Sequence, residues 1–171
     1  DMVYQIAQDK LDQKLIVPIG GDPHLHEPTP RDAKIVAAAD QIFVNGLTFE
    51  GWITELIANS GTAAVVDTVT EGIDAIQSTT YKDSYDPHAW MDVENGMKYV
   101  VNIKNSLVKL DPDNAAYYEE NCKQYLDKLK SLDLYIKDRI QEIPVDKRIL
   151  ITSHDAFEYY GKKYGLKLEA I

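Results

Sequence analysis

The sequence predicts an α/β protein with two lobes of parallel sheet covered by helices and joined by a long, rigid spine helix. Three observations support this prediction. Short apolar runs alternate with amphipathic segments over the first hundred residues, as in β-α-β units. Residues 111–143 then repeat apolar side chains every three or four positions without a break. A second β-α-β pattern follows this stretch.

The composition is that of an ordinary globular protein and excludes two classes of partner. The 171 residues are 44% hydrophobic and 27% charged, and the net charge is −10. Such a charge, with no run of Lys or Arg, argues against nucleic acid and anionic membrane surfaces and favours cations. No apolar stretch approaches the ~20 residues of a membrane span. Cys122 is the single cysteine, so no internal disulfide can form.

An N-terminal α/β lobe is predicted over residues 1–110. One of its helices has a clear start, because Thr29 is a good N-cap and Pro30 fits the first helical position. Asp92 is predicted to cap a later helix in the same way. The predicted elements are a helix at 1–10, a strand at 15–19, a helix at 29–39, a strand at 41–44, a helix at 47–59, a strand at 63–66, an irregular polar segment at 67–85 and a helix at 93–108.

The spine is predicted over residues 111–143, and Pro144 ends it. A helix of about 30 residues would span about 45 Å, more than the width of a small domain, so it should join two lobes. Residues 144–171 are predicted to be the start of a C-terminal lobe that is incomplete in this chain. Uncovered apolar surface on that lobe would favour self-association. Its predicted elements are a strand at 148–152, a helix at 155–164 and a strand at 166–171.

A tripeptide that occurs twice, Asp22-Pro23-His24 and Asp86-Pro87-His88, carries the chemistry. Each Pro restricts the backbone around it, so each His sits on a stiff loop and points in a defined direction. His154 follows the strand predicted at 148–152, and ligands of open parallel sheets gather at the carboxyl ends of strands. The sequence therefore predicts a metal site between the lobes, built from His24, His88 and His154.

Each candidate ligand also has a plainer explanation. His24 and His88 could be residues of loops that the prolines merely stiffen. His154 could precede a helix that Asp155 caps, and Asp155 is otherwise a candidate for an auxiliary role at the site. These alternatives stay open on spacing alone.

The remaining donors near the tripeptides are predicted to be auxiliary. His26 is interpreted as a neighbour of the site rather than a ligand. Glu27 and Asp92 are candidates to orient ligand imidazoles from outside the coordination sphere, or else they cap helices or face solvent. Neutral imidazoles suit zinc, and also iron, nickel and copper. A tetrahedral site would need a fourth ligand: a carboxylate, His26 or water.

Four segments resemble motifs of the metal-binding receptors of bacterial zinc and manganese ABC importers, some of which have long been described as adhesins. The resemblance covers almost the whole chain and implies two α/β lobes joined by a rigid spine. It also implies that His24, His88 and His154 are the metal ligands. The segments are GDPHLHEPTPRD at 21–32, NGL and EGW within 45–52, DPHAWMD at 86–92, and SHDAF at 153–157 followed by YGL at 164–166.

The resemblance implies a binding protein and not an enzyme. Such a receptor works outside the cytoplasm, in the periplasm or anchored by lipid, and delivers its ion to a membrane ABC permease. Manganese-selective members usually have Glu at the third ligand position, so His154 favours zinc as cargo, with manganese as the alternative. Position 26, commonly Tyr in the family, is His26 here. The family's fourth ligand, an Asp, is expected beyond Ile171, so water or a neighbouring molecule would take its place.

Two other classes of function fit part of the pattern. Three His with an open water position could form a zinc hydrolase, but the sequence offers no convincing general base or oxyanion donor. A surface adhesion module, with structural metal or none, would still bind host or matrix ligands after the histidines are replaced. The receptor interpretation predicts that metal leaves below about pH 6, because ligand imidazoles must be neutral.

Overall fold

The computed structural model describes residues 1–78 and 83–170, and it contains six α-helices and four β-strands within those ranges. Short 3₁₀ turns precede or follow several of the helices. The elements are α1 Met2–Ala7, α2 Pro30–Ala37, β1 Gln41–Val44, α3 Ile53–Ser60, β2 Val65–Thr68, α4 Val93–Leu110, α5 Ala115–Gln141, β3 Ile149–Thr152, α6 Glu158–Tyr164 and β4 Lys167–Ala170.

The strands form two separate parallel pairs. β1 lies beside β2, with Gln41 opposite Val65, and β3 lies beside β4, with Ile149 opposite Lys167. The chain crosses from one strand to the next through α3 in the first pair and through α6 in the second, which is the β-α-β connection of parallel sheets. The α/β class and the parallel pairing predicted from the sequence are confirmed.

The long helix predicted from the apolar repeat is α5, whose 27 residues give it a length of about 40 Å. It packs along α4 and α1 over a core that includes Ile6, Leu107 and Tyr118, all at most 1% exposed. Tyr159 of α6 is buried in the same core. No helix among the described residues is long and apolar enough to cross a membrane.

A polar network fastens α6 to the long helix. Asp133 of α5 is only 7% exposed, and its carboxylate accepts hydrogen bonds from Tyr164 Oη at 2.9 Å and Lys137 Nζ at 2.5 Å. Lys163 of α6 pairs with Glu94 of α4 at 2.5 Å. Because α6 follows the loop that carries His154, this network fixes the position of that loop relative to α4 and α5.

The strand predicted at 15–19 is wrong. Residues 11–29 contain neither strand nor helix, and Ile19 is 97% exposed. Pro18 lacks an amide hydrogen and so weakens any strand that contains it. The Pro18 carbonyl instead accepts a hydrogen bond from Gly21 N at 2.9 Å, which turns the chain toward the first tripeptide.

Several predicted boundaries also move. The helix predicted at 47–59 begins at Ile53, because residues 45–52 form a tight turn, and the strand predicted at 63–66 lies at 65–68. The helix predicted from 155 begins at Glu158. The N-caps predicted at Thr29 and Asp92 are confirmed, since each side chain accepts an amide hydrogen bond from the first turn of its helix. Residues 79–82 of the predicted irregular segment, and residue 171 of the last predicted strand, lie outside the described residues.

Candidate metal centre

Three imidazoles from distant parts of the chain meet at one point. Nε2 of His88 lies 3.2 Å from Nε2 of His24 and 3.2 Å from Nε2 of His154. One nitrogen of each ring lies within 4.8 Å of the other two. The three residues that the sequence analysis proposed as ligands are therefore neighbours in space, although 64 and 66 residues separate the outer two from His88.

His88 is the buried member of the cluster, only 5% exposed, and its own tripeptide fixes its orientation. Oδ1 of Asp86 accepts hydrogen bonds from the backbone N of His88 at 2.9 Å and from the ring Nδ1 at 2.7 Å. The proton on Nδ1 leaves a lone pair on Nε2, which faces the other two rings. Oδ2 of Asp86 is buried and receives no hydrogen bond from any described residue. The centre therefore holds a carboxylate that favours a nearby positive charge.

A second contact to Asp86 comes from α6. Oη of Tyr159 donates to the Asp86 carbonyl at 2.8 Å and accepts from the backbone N of Ile76 at 3.0 Å. Tyr159 is 3% exposed, so both hydrogen bonds are protected from water. The helix that follows the His154 loop thus holds the backbone of the His88 loop directly.

His24 is half-buried on the first tripeptide loop. Its backbone N donates to Oδ1 of the exposed Asp22 at 2.9 Å, and its ring packs edge-on against Phe49 at 4.7 Å. Burial lowers the pKa of the His24 imidazole, and the nearby rings of His88 and His154 lower it further, whereas the Asp22 and Asp86 carboxylates oppose the shift. The lowered pKa favours the neutral ring, which is the form that binds metal.

His154 lies two residues beyond β3, and the residue is exposed although its ring packs against the rings of His24 and His88. Its carbonyl accepts hydrogen bonds from Oγ1 of Thr152 and the backbone N of Ala156, both at 3.0 Å. These contacts form a tight turn at the carboxyl end of the strand, where parallel sheets present their ligands.

The spacing of the three nitrogens fits a metal ion. Two nitrogens that each lie about 2.05 Å from a tetrahedral zinc ion are about 3.3 Å apart. The two separations of 3.2 Å match this value.

Comparison with known proteins identifies the family. A family model described as the periplasmic zinc-uptake complex component A, ZnuA, matches residues 1–171. The chain belongs to the ZnuA family. In this chain, two loops and the end of β3, rather than the α-helices, present the candidate ligands.

The relatives of this ZnuA-family chain are metal-binding proteins by name. It is 42% identical over 174 residues to the manganese ABC transporter substrate-binding lipoprotein PsaA of Streptococcus pneumoniae, covering 97% of this chain and 56% of PsaA. It superposes on the Mn-bound periplasmic metal-binding protein of Candidatus Liberibacter asiaticus (TM-score 0.92, 33% identity, 100% of this chain and 64% of that one). It also superposes on the periplasmic zinc-binding protein TroA of Treponema pallidum (TM-score 0.90, 33% identity, 99% and 62%). The chain thus spans about 56% of the length of PsaA.

The auxiliary residues suggested by the sequence lie around the cluster rather than in it. His26 Nε2 lies 3.1 Å from Oδ2 of the buried Asp32, and its ring packs 4.7 Å from the Trp52 ring. Glu27 is exposed. His26 thus supports the loop next to His24, and its Nε2 is engaged by a carboxylate.

The two candidate acids on later elements have different surroundings. Asp92 accepts a hydrogen bond from the backbone N of Glu94 at 2.8 Å and so caps α4. The sequence had also allowed Asp92 to orient a ligand imidazole. Asp155 is half-buried, and its charge adds to the effect of burial in raising the pKa of Glu158. Asp86 contacts an imidazole of the cluster directly, through Oδ1 to Nδ1 of His88.

Sequence reasoning missed several residues that support the site. The sequence analysis named Asp86 only as part of its tripeptide. Its contact with Nδ1 of His88 could have been suspected, because an Asp side chain can reach groups two residues further along the chain. Asn45, Glu50 and Trp52 were noted only as part of a motif. Tyr159 stands beside Tyr160 in the helix predicted at 155–164, and nothing in its local sequence distinguishes it from that neighbour.

Proposed function

We propose that this chain binds one divalent metal ion through Nε2 of His24, His88 and His154. The observation that supports it is the convergence of these nitrogens at separations suited to a metal ion, around a ring that Asp86 holds in the correct tautomer. The ion is cargo: the whole protein would act as a non-enzymatic receptor outside the cytoplasm and deliver the ion to a membrane ABC permease. Membership of the ZnuA family supports this role.

We propose zinc as the preferred ion. Imidazole donors suit zinc, whereas manganese prefers carboxylate, carbonyl and water oxygens. TroA of T. pallidum is named as a zinc-binding protein, and PsaA of S. pneumoniae is named for manganese, so manganese is the competing candidate. The three-imidazole donor set is the feature of this chain that favours zinc.

The experiment is calorimetric titration of zinc and manganese into the chain and into the variants His24→Ala, His154→Ala and His26→Gln. Loss of a ligand should weaken zinc binding by more than about 100-fold, beyond the effect of supporting residues. His26→Gln is the matched control, because it changes a nearby imidazole that lies outside the cluster. Equal zinc affinity in all four proteins would contradict the proposed ligands, and tighter manganese binding would contradict the preference for zinc.

We also propose the division into an N-terminal lobe at 1–110, a spine at 111–143 and a C-terminal lobe from 144, because a separate parallel sheet lies on each side of α5 in the sequence. Ile149 and Ile151 of β3 are 47% and 56% exposed, and Leu134 of α5 is 62% exposed. This exposed apolar surface would favour self-association of the chain. Light scattering should show a mass that rises with concentration, and a constant monomer mass would contradict it.

A further inference from the structure

One short turn, residues 45–52, contacts both tripeptide loops. At its start, Nδ2 of Asn45 donates to the Pro87 carbonyl at 3.0 Å, and at its end Nε1 of Trp52 donates to the Pro23 carbonyl at 2.8 Å. Between them, the Phe49 ring packs against His24. We name this segment the support turn. It joins two loops that are far apart in the sequence and that present two of the three imidazoles.

The start of the support turn is fixed by the core. Asn45 is 8% exposed, its Oδ1 accepts from Oη of Tyr99 at 2.7 Å, and its carbonyl accepts from Oγ1 of Thr70 at 2.6 Å. Tyr99 is itself buried on α4. Asn45 is therefore held in place by the core. The positions of Phe49 and Trp52 relative to Asn45 depend on the conformation of the rest of the turn.

The backbone of the support turn is unusual. Gly46, Leu47 and Thr48 have φ angles of +77°, +52° and +65° in succession, a region that side chains other than Gly rarely adopt. A Cβ at Gly46 would lie 2.6 Å from Cγ2 of Thr68. Such a conformation persists only where surrounding contacts enforce it.

Glu50 supplies the contacts that close this turn. Its Oε1 accepts from the backbone N of Asn45 at 2.7 Å, and its Oε2 accepts from the backbone N of Gly46 at 3.2 Å. The side chain is half-buried, and burial raises the pKa of its carboxyl while the two amides oppose the shift. Both carboxylate oxygens are thus committed to the backbone of the turn.

We propose that Glu50 is a positioning residue of the metal centre, which sets the distance between His24 and His88 by closing the support turn. It acts through Asn45 on the loop of His88, and through Phe49 and Trp52 on the loop of His24. This inference rests on the proposed function of the cluster as a metal site.

The test compares Glu50→Ala and Glu50→Gln with Glu55→Gln, a control that removes an exposed acid from the same region. Three quantities are measured: the zinc dissociation constant, the visible absorption spectrum of the cobalt-loaded chain, and the imidazole ¹⁵N shifts of the metal-free chain. Glu50→Ala should weaken zinc binding about 10-fold or more and alter the cobalt spectrum. Glu50→Gln, which keeps one acceptor oxygen, should give an intermediate effect, and Glu55→Gln should match the parent.

The metal-free shifts separate this proposal from the proposed function. Glu50→Ala should move the ring signals of both His24 and His88, whether or not the chain binds zinc. A parent chain that binds neither zinc nor cobalt would contradict the proposed function, and the imidazole shifts would then decide the positioning role. If Glu50→Ala does not fold, Glu50→Gln decides. Unchanged affinity, spectrum and imidazole shifts in the folded Glu50 variant would overturn the proposal.

Discussion

Oδ1 of Asp86 lies 2.7 Å from Nδ1 of His88, two residues further along the chain. In the other copy of the tripeptide, Oδ1 of the exposed Asp22 accepts a hydrogen bond from the backbone N of His24. Identical sequences thus give different environments, because the second tripeptide is buried beneath Tyr159 and the first lies at the surface. One copy orients an imidazole, and the other shapes its loop.

Asp86→Asn should weaken zinc binding about 10- to 100-fold, because it removes the negative charge that makes the His88 ring a strong metal ligand and that fixes its tautomer. Asp22→Asn is the matched control, since the Asp22 carboxylate accepts its hydrogen bond from the backbone N of His24, and it should change the affinity less. Calorimetric titration of both variants measures the difference. Equal losses would show that the contact to Nδ1 has no special effect.

Zinc affinity should be constant above about pH 7 and fall below about pH 6, because protons compete with the metal for the three imidazoles. The pKa of His24 is lowered by burial and by the neighbouring rings. In the metal-free chain, the stability that this neutral ring contributes is present above its unfolded pKa of about 6.5 and is lost as pH falls through its lower folded pKa. Titrations from pH 8 to pH 4 test this, and constant affinity down to pH 4 would exclude three histidine ligands.

Tyr164→Phe should lower the free energy of unfolding by about 2 kcal/mol, because it removes a hydrogen bond to the buried Asp133 carboxylate. Tyr135→Phe is the control, since Tyr135 lies on α5 and is 62% exposed. Urea denaturation monitored by circular dichroism measures both. The prediction fails if the two variants are equally stable.

Gly46→Ala should destabilise the chain by more than about 1 kcal/mol, because its φ of +77° and the close approach of Thr68 both disfavour a side chain. Gly51→Ala is a control five residues away, where an added Cβ meets no atom within 4 Å. Thermal unfolding of the metal-free proteins gives the comparison. A Gly46→Ala protein as stable as the parent would mean that the support turn relaxes without cost.

The helices with long apolar repeats could be predicted because their periodicity is a local signal. The clustering of His24, His88 and His154 was predicted from the two Pro-stiffened loops and from the carboxyl end of a strand, where ligands of parallel sheets gather. It failed at 15–19, where an apolar run looked like a strand but Pro18 and an exposed Ile19 leave it as a loop. It also missed the contacts of Glu50 and Tyr159. Tyr159 contacts Ile76 and Asp86, which only the folded chain brings near it. Glu50 closes a local turn, but the positive φ angles of Leu47 and Thr48 in that turn follow from no residue preference.

The graded exposure of the three histidines would give metal exchange at the proposed site a direction. His88 is 5% exposed and held by Asp86, His24 is half-buried, and His154 is exposed on its turn. A chelator or a proton that arrives from solvent meets His154 first. An ion in the proposed site would then rest on two nitrogens carried by the tripeptide loops, and the bond to His88 would be the last to break. Release of the ion would therefore begin at His154 and end at the buried ring.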